Sequence, residues 1–111
     1  MKRRLRRTKQ VREDLIEIYA FLHERSPRAA EHVFDAIEAS IRALREKPSI
    51  GRQWDSRDPR LAGMRVLVVS RYPSYLVFFR AAGRDIEVFR VLHGARELQR
   101  LIDEIELDFE D

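Results

Sequence analysis

Cysteine is absent from this 111-residue sequence, which excludes disulfides, thiolate metal sites and a cysteine nucleophile. Long apolar runs are absent too: none approaches the roughly 20 residues that span a bilayer. The basic start Lys2-Arg3-Arg4-Leu5-Arg6-Arg7 is not followed by the unbroken apolar stretch of a signal peptide. The expectation is a soluble, cytoplasmic chain with no membrane partner. Histidine occurs three times, as His23, His32 and His93, at no zinc-ligand spacing. His23 and His32 read as solvated helix residues, so no metal and no cofactor is expected. Glycine and proline number four each, and there is no internal repeat, low-complexity stretch or linker. The chain is expected to be one domain over residues 1–111.

Arginine is abundant. Lysine occurs only as Lys2, Lys9 and Lys47 among 22 basic groups, and the two charge signs are segregated. Residues 1–100 hold all 22 basic groups and 13 of the 19 acids, whereas residues 101–111 hold six acids and no base. A cationic, arginine-rich body suits phosphate or carboxylate, because the guanidinium is a planar fork that keeps its charge when partly buried. Nucleic acid and an acidic protein segment are therefore the candidate partners. The plain alternative is a solvated basic surface.

Residues 3–7 suggest a short, arginine-rich first strand in which only Leu5 is apolar. Thr8 is a candidate helix N-cap, and Val11, Leu15, Ile18 and Leu22 follow at helical spacing. Ser26-Pro27 supplies a second cap with proline in the first turn. Ala30, Val33, Ile37, Ile41 and Leu44 then form another helical stripe that ends before Lys47-Pro48. The two stretches predict an α-hairpin. Residues 49–62 read as a loop, and three β-rich runs follow at 64–71, 75–81 and 85–93. The connections Tyr72-Pro73-Ser74 and Ala82-Gly83-Arg84 are short enough for antiparallel hairpins. Leu98, Leu101, Ile102, Ile105 and Phe109 return to helical spacing. The predicted class is α+β, in the order β-α-α-β-β-β with a C-terminal helix. The helical hairpin packs on a small, mostly antiparallel sheet, and residues 98–111 form an acidic helical extension.

Strand alternation puts Arg65 and Arg71 with Leu67 and Val69, Arg80 with Leu76 and Phe78, and Arg90 with Ile86, Val88 and Leu92. An arginine in an apolar strand face is costly to bury without an anionic partner. Arg65, Arg80 and Arg90 on adjacent strands thus suggest a concave cationic site, unless each reaches water or a local acid such as Glu87 or Asp85. His93-Gly94-Ala95-Arg96 lies where the last strand hands over to the last helix. Arg96 then falls in a first helical turn, where the dipole disfavours a cation and a functional role gains weight. His93 is a candidate proton donor or phosphate ligand.

The run Arg90-Val91-Leu92-His93-Gly94-Ala95-Arg96 closely resembles the C-terminal signature of ParE-type toxins in the RelE/ParE superfamily. Three more features resemble that family in the same order. Thr8, Val11, Asp14-Leu15 and Ile18 look like its first-helix opening. Pro48, Gly51 and Arg52 look like the segment after its second helix. Met64-Arg65-Val66-Leu67 and Tyr75-Leu76-Val77-Phe78-Phe79-Arg80 look like its central hairpin. The similarity spans about residues 5–98, and four motifs in register carry it.

The resemblance implies a RelE/ParE-like fold and a type II toxin held inactive by a cognate antitoxin, whose C-terminal segment wraps it. DNA enters only indirectly, through that antitoxin. The expected surface for antitoxin or target comprises Leu15, Ile18 and Leu22 on the hairpin with Arg52, Arg65, Arg80, Arg90 and Arg96. The superfamily divides by mechanism: RelE-like members cut messenger RNA on the ribosome, whereas characterised ParE-like members inhibit DNA gyrase. For RNA cleavage the candidate catalytic set is Arg65, Arg80, Arg90, His93 and Arg96. RelE-like enzymes commonly place a tyrosine near the end of the last strand; here His93 stands there, and the tyrosines are Tyr19, Tyr72 and Tyr75. The expectation is a non-catalytic gyrase inhibitor. The alternatives are a ribosome-dependent endoribonuclease, a non-toxic antitoxin-binding member, and a generic nucleic-acid binder. The acidic tail is longer than in many relatives. It is expected to pack its apolar face on the body or on a second copy while its acids screen the basic groove.

Overall fold

In a computed structural model, residues 3–110 are described; Met1, Lys2 of the basic start and Asp111 of the acidic tail lie outside them. Strand β1 (Arg4–Thr8) runs into helix α1 (Lys9–Arg25), and α2 (Pro27–Ala43) follows directly. Both predicted caps form. The Thr8 hydroxyl accepts from the Val11 amide at 3.2 Å and the Ser26 hydroxyl from the Ala29 amide at 3.1 Å, satisfying amides that the helix itself leaves unpaired. Strands β2 (Arg52–Gln53), β3 (Arg65–Val68), β4 (Tyr75–Ala82) and β5 (Asp85–His93) come next. The chain closes with α3 (Leu98–Asp103) and β6 (Phe109–Glu110).

The sheet runs β2-β3-β4-β5-β1-β6. Among the described residues only the β1–β5 pair is parallel, so the α+β class and the order of the main elements are as expected, with two short strands added at the edges. Residues 49–62 contain β2, which pairs with β3, and a 3-10 turn at Pro59–Leu61 capped by Asp58. Gly51 opens β2 with φ +85°, and a Cβ there would lie 2.3 Å from the Val66 carbonyl oxygen, so no side chain fits. β3 ends earlier than the β-rich run at 64–71 because Val69 accepts from the Tyr72 amide and Arg71 takes φ +73°, the start of the turn into β4.

Both faces of the sheet are covered. Leu15, Val33, Ile37 and Ile41 of the hairpin bury one face against Val77, Phe79, Val88 and Val91. Leu61, Met64, Leu101, Ile102 and Ile105 bury the other against Phe78, Phe89 and Leu92. The C-terminal helix is shorter than its spacing suggests. It stops at Asp103, Ile105 is buried beyond its end, and Phe109 lies in β6, paired antiparallel with β1. Free backbone groups at the β1 edge offer the tail a ladder, and a solvated helical turn offers less. Among the described residues no helix is long and apolar enough to cross a membrane.

Candidate functional site

The end of β5 is where sequence motif and surface shape meet. A cleft of about 420 Å³ lies between the outer half of α1 and the turn after β5, lined by Glu17, Ile18 and Phe21 on one side and Tyr75, His93 and Arg96 on the other. Its floor is set by a junction at the margin of β5. β1 pairs with β5 as far as Arg7 opposite Val88; beyond that point side chains replace the missing strand. The Thr8 hydroxyl donates to the Phe89 carbonyl at 2.7 Å, and the Asp14 carboxylate accepts from the Val91 amide at 3.0 Å. Asp14 also receives two hydrogen bonds of 2.8 Å from Arg90. This bidentate pair is buried on both sides, and the Asp14 hydrogen bonds raise the Arg90 pKa above its ordinary value.

A β-bulge interrupts β5 at this junction. Phe78 pairs with Arg90 while Phe79 pairs with Val88, leaving Phe89 as the extra residue. The bulge shifts the alternation, so Val88 and Val91 face the hairpin whereas Phe89 and Leu92 face away. Strict period-two counting, which groups Arg90 with Ile86, Val88 and Leu92, fails at this point.

The structure does not gather Arg65, Arg80 and Arg90 into one cradle. Arg65 donates to the carbonyls of Ile50 and Gly51 at 3.3 and 2.8 Å. Arg80 pairs with Glu87 at 2.8 Å and donates to the carbonyls of Arg60 and Ala62 at 2.6 and 3.2 Å. Of the three, Arg80 takes a local acid, Glu87, whereas Arg65 uses carbonyls and Arg90 a carboxylate distant in sequence. Arg52 is exposed on β2, and Arg96 is exposed in the turn; neither side chain makes an ion pair or hydrogen bond among the described residues. Arg96 precedes α3, whose N-cap is Glu97, so it does not sit in a first helical turn and the dipole argument does not apply to it.

His93 is half-buried, and its Nδ1 accepts from the Ala95 amide at 3.1 Å. The neutral ring then carries its proton on Nε2. The Tyr75 ring meets it edge-on at 5.2 Å, and burial raises the Tyr75 pKa, keeping that phenol a neutral donor. A 2.6 Å bond from the Gly94 amide to the Ser74 carbonyl fixes the turn. The cleft thus offers one imidazole, one phenol and one unpaired guanidinium. Beside them stand the exposed Glu17 and an Asp14 already neutralised by Arg90.

Of the hairpin residues expected on the surface, Leu15 is buried, while Ile18 and Leu22 are partly buried against the core. The exposed apolar side chains of α1 are Ile16, at 63% exposure, and Phe21, at 55%. The helical stripe selects the core face by construction, so it passes over both. Their signal in the sequence is an apolar residue off the stripe.

The chain is similar to known proteins over most of its length. Over 88 residues it is 26% identical to Toxin RelE1 of Caulobacter vibrioides, an alignment covering 79% of this chain and 89% of that toxin. A solved structure described as the chromosomal ParDE TA system from P. aeruginosa superposes with a TM-score of 0.66 at 24% identity, over 83% of this chain and 96% of that one. The profile of the family described as the ParE toxin of type II toxin-antitoxin system, parDE, matches residues 5–98, and the chain belongs to that family.

Proposed function

We propose that this toxin acts in the cytoplasm by binding DNA gyrase without catalysis, and that a cognate antitoxin neutralises it by covering the cleft at the end of β5. The observation that carries this reading is the fate of the arginines. Arg65, Arg80 and Arg90 are bound to carbonyls or carboxylates of the chain itself. Of the five candidate catalytic residues only His93 and Arg96 share the cleft. Cleavage of a phosphodiester by its 2′-hydroxyl needs a base, an acid and cations around the phosphate, and one exposed guanidinium beside the Glu17 carboxylate is a poor cradle for it. The same cleft suits a protein. Phe21 is an apolar anchor, Arg96 offers a free charge, and aromatic and arginine anchors carry much of the energy of protein interfaces.

The ribonuclease reading keeps one supporting feature: His93 and Arg96 line the same cleft, a proton donor with a cation. The discriminating experiment is induced expression with and without the neighbouring gene, following the DNA-damage response and transcript integrity, alongside a supercoiling assay with purified gyrase. Filamentation with intact transcripts and loss of supercoiling, reversed by the neighbour, supports the proposal. Ribosome-dependent transcript cuts that disappear in His93→Ala overturn it. Arg96→Ala and Phe21→Ala lower toxicity in the gyrase reading while far-ultraviolet circular dichroism stays unchanged.

A further inference from the structure

The acidic tail is held on the edge of the sheet by contacts of a particular kind. β6 pairs Glu110 with Arg7 and Phe109 with Thr8, and the Lys9 amide donates to the Asp108 carbonyl at 2.9 Å. Lys9 pairs with Asp108 and Arg12 with Glu110, each at 3.2 Å. Gln10 bridges the approach, its amide oxygen accepting from the Glu106 amide at 2.9 Å. Phe109 packs against Phe89 and lies under the Arg6 guanidinium, 4.6 Å from its ring centroid.

Three observations mark this segment as separable from the body. Ile102 and Ile105 are buried, so the anchor ends at residue 105. Beyond it Glu106 and Asp108 are exposed, and Leu107, Phe109 and Glu110 are only partly buried. The Lys9–Asp108 pair is more than half exposed on both sides, and such pairs contribute little in water. The strand ladder is two residues long. Release leaves a defined surface behind. It uncovers the β1 edge, frees Lys9 and Arg12 of their carboxylates, and leaves the Arg6 guanidinium, whose buried Nε already has no hydrogen-bond partner, without its aromatic ring. A groove of about 530 Å³, lined by Arg12, Leu15, Ile16 and Phe34, continues from Glu110 across the hairpin.

We propose that residues 106–110 are a displaceable acidic strap, and that the β1 edge beneath it receives an extended, acidic segment of a partner protein bearing an aromatic side chain at the position of Phe109. Strand addition supplies main-chain hydrogen bonds, and side-chain pockets supply selectivity; the strap shows what those pockets accept. The apolar groove beyond Glu110 extends the surface for a segment longer than the strap. Charge excludes the obvious competitors. Two copies pairing edge to edge through Arg4-Leu5-Arg6-Arg7 bring like charges together. A nucleic acid cannot complete a backbone ladder. The proposal is independent of the toxin's target.

The test uses the full-length chain and a labelled peptide carrying its residues 103–111. Phe109→Ser combined with Glu110→Lys loosens the strap. This variant is expected to bind the peptide about tenfold more tightly than the wild type, whose site is filled in cis, with an affinity that falls as salt rises. Adding Arg12→Ala to the loosened variant removes the gain. Equal affinity of wild type and variant overturns the proposal. So does a variant that dimerises in sedimentation without taking up peptide, or one that gains affinity for a single-stranded oligonucleotide instead. Hydrogen exchange on the wild type tests the strap with no substitution. The Lys9 amide is expected to exchange through local opening, well ahead of the Val91 amide bonded to Asp14; equal protection of the two rules a displaceable strap out.

Discussion

Two junctions tie the opening turns of α1 to the rest of the molecule, and both use carboxylates against cations. At the first, Asp14 takes two hydrogen bonds from Arg90 and one from the Val91 amide, with side chains only 5% and 10% exposed. At the second, Lys9 meets Asp108 with both side chains more than half exposed, and the exposed Arg12 meets a partly buried Glu110, with one contact per pair. The chemistry is shared, but the consequence differs. In the buried junction the groups cannot exchange protein partners for solvent, so the geometry is fixed and either partner is costly to remove. In the exposed junction water replaces whatever the tail lets go. Within the first turns of α1, the junction at Asp14 is therefore a permanent joint between hairpin and sheet, and the one at Lys9 and Arg12 is a closure that can open.

Substitutions sharpen that contrast. Asp14→Ala strands a buried guanidinium and the Val91 amide together, and is expected to cost about 3–5 kcal/mol in urea unfolding. A loss below about 1 kcal/mol would place the pair with ordinary surface bridges. Thr8→Val keeps the shape but loses the helix cap and the bond to the Phe89 carbonyl; about 1–2 kcal/mol is expected by the same measurement. Lys9→Ala is expected to cost less than about 1 kcal/mol, and a Lys9–Asp108 double-mutant cycle should show a coupling that shrinks with added salt.

A pH series probes a third pair of intermediate burial. Arg7 donates to both oxygens of Glu38 at 2.7 and 2.8 Å, and these hydrogen bonds hold the Glu38 carboxyl below its usual range. A folded-state pKa below the unfolded one contributes stability above the unfolded value and loses it as pH falls through the folded one. Acid titration of unfolding should therefore be steeper for the wild type than for Glu38→Gln in the region below the ordinary glutamate pKa. Identical slopes would show that the pair adds nothing to folding.

The main fold was legible wherever a local rule decided it. Thr8 and Ser26-Pro27 announce helix starts, the stripes through Ile37 and Leu15 mark the buried face, and short connections close the hairpins. The candidate site was legible as a motif, His93 to Arg96, and not as a geometry. The arginines illustrate why. Residue type shows that Arg65, Arg80 and Arg90 need partners, and the nearby Glu87 serves Arg80; Arg90, however, takes Asp14, 76 residues away in sequence, and nothing local names it. The bulge at Phe89 adds to this, since one extra residue reverses every inside–outside assignment after it.

Composition and periodicity by themselves determined the α+β class, the order of helices and main strands and the absence of thiol chemistry, and motifs in register carried the family resemblance, because each depends on neighbours along the chain. Only the tertiary structure decided that Arg90 belongs to Asp14, that Ile16 and Phe21 are the exposed apolar groups of α1, and that Phe109 ends in a strand on β1. Those outcomes depend on which segments share solvent and which exclude it, and a buried carboxylate or an open sheet edge exists only once the chain has closed around it.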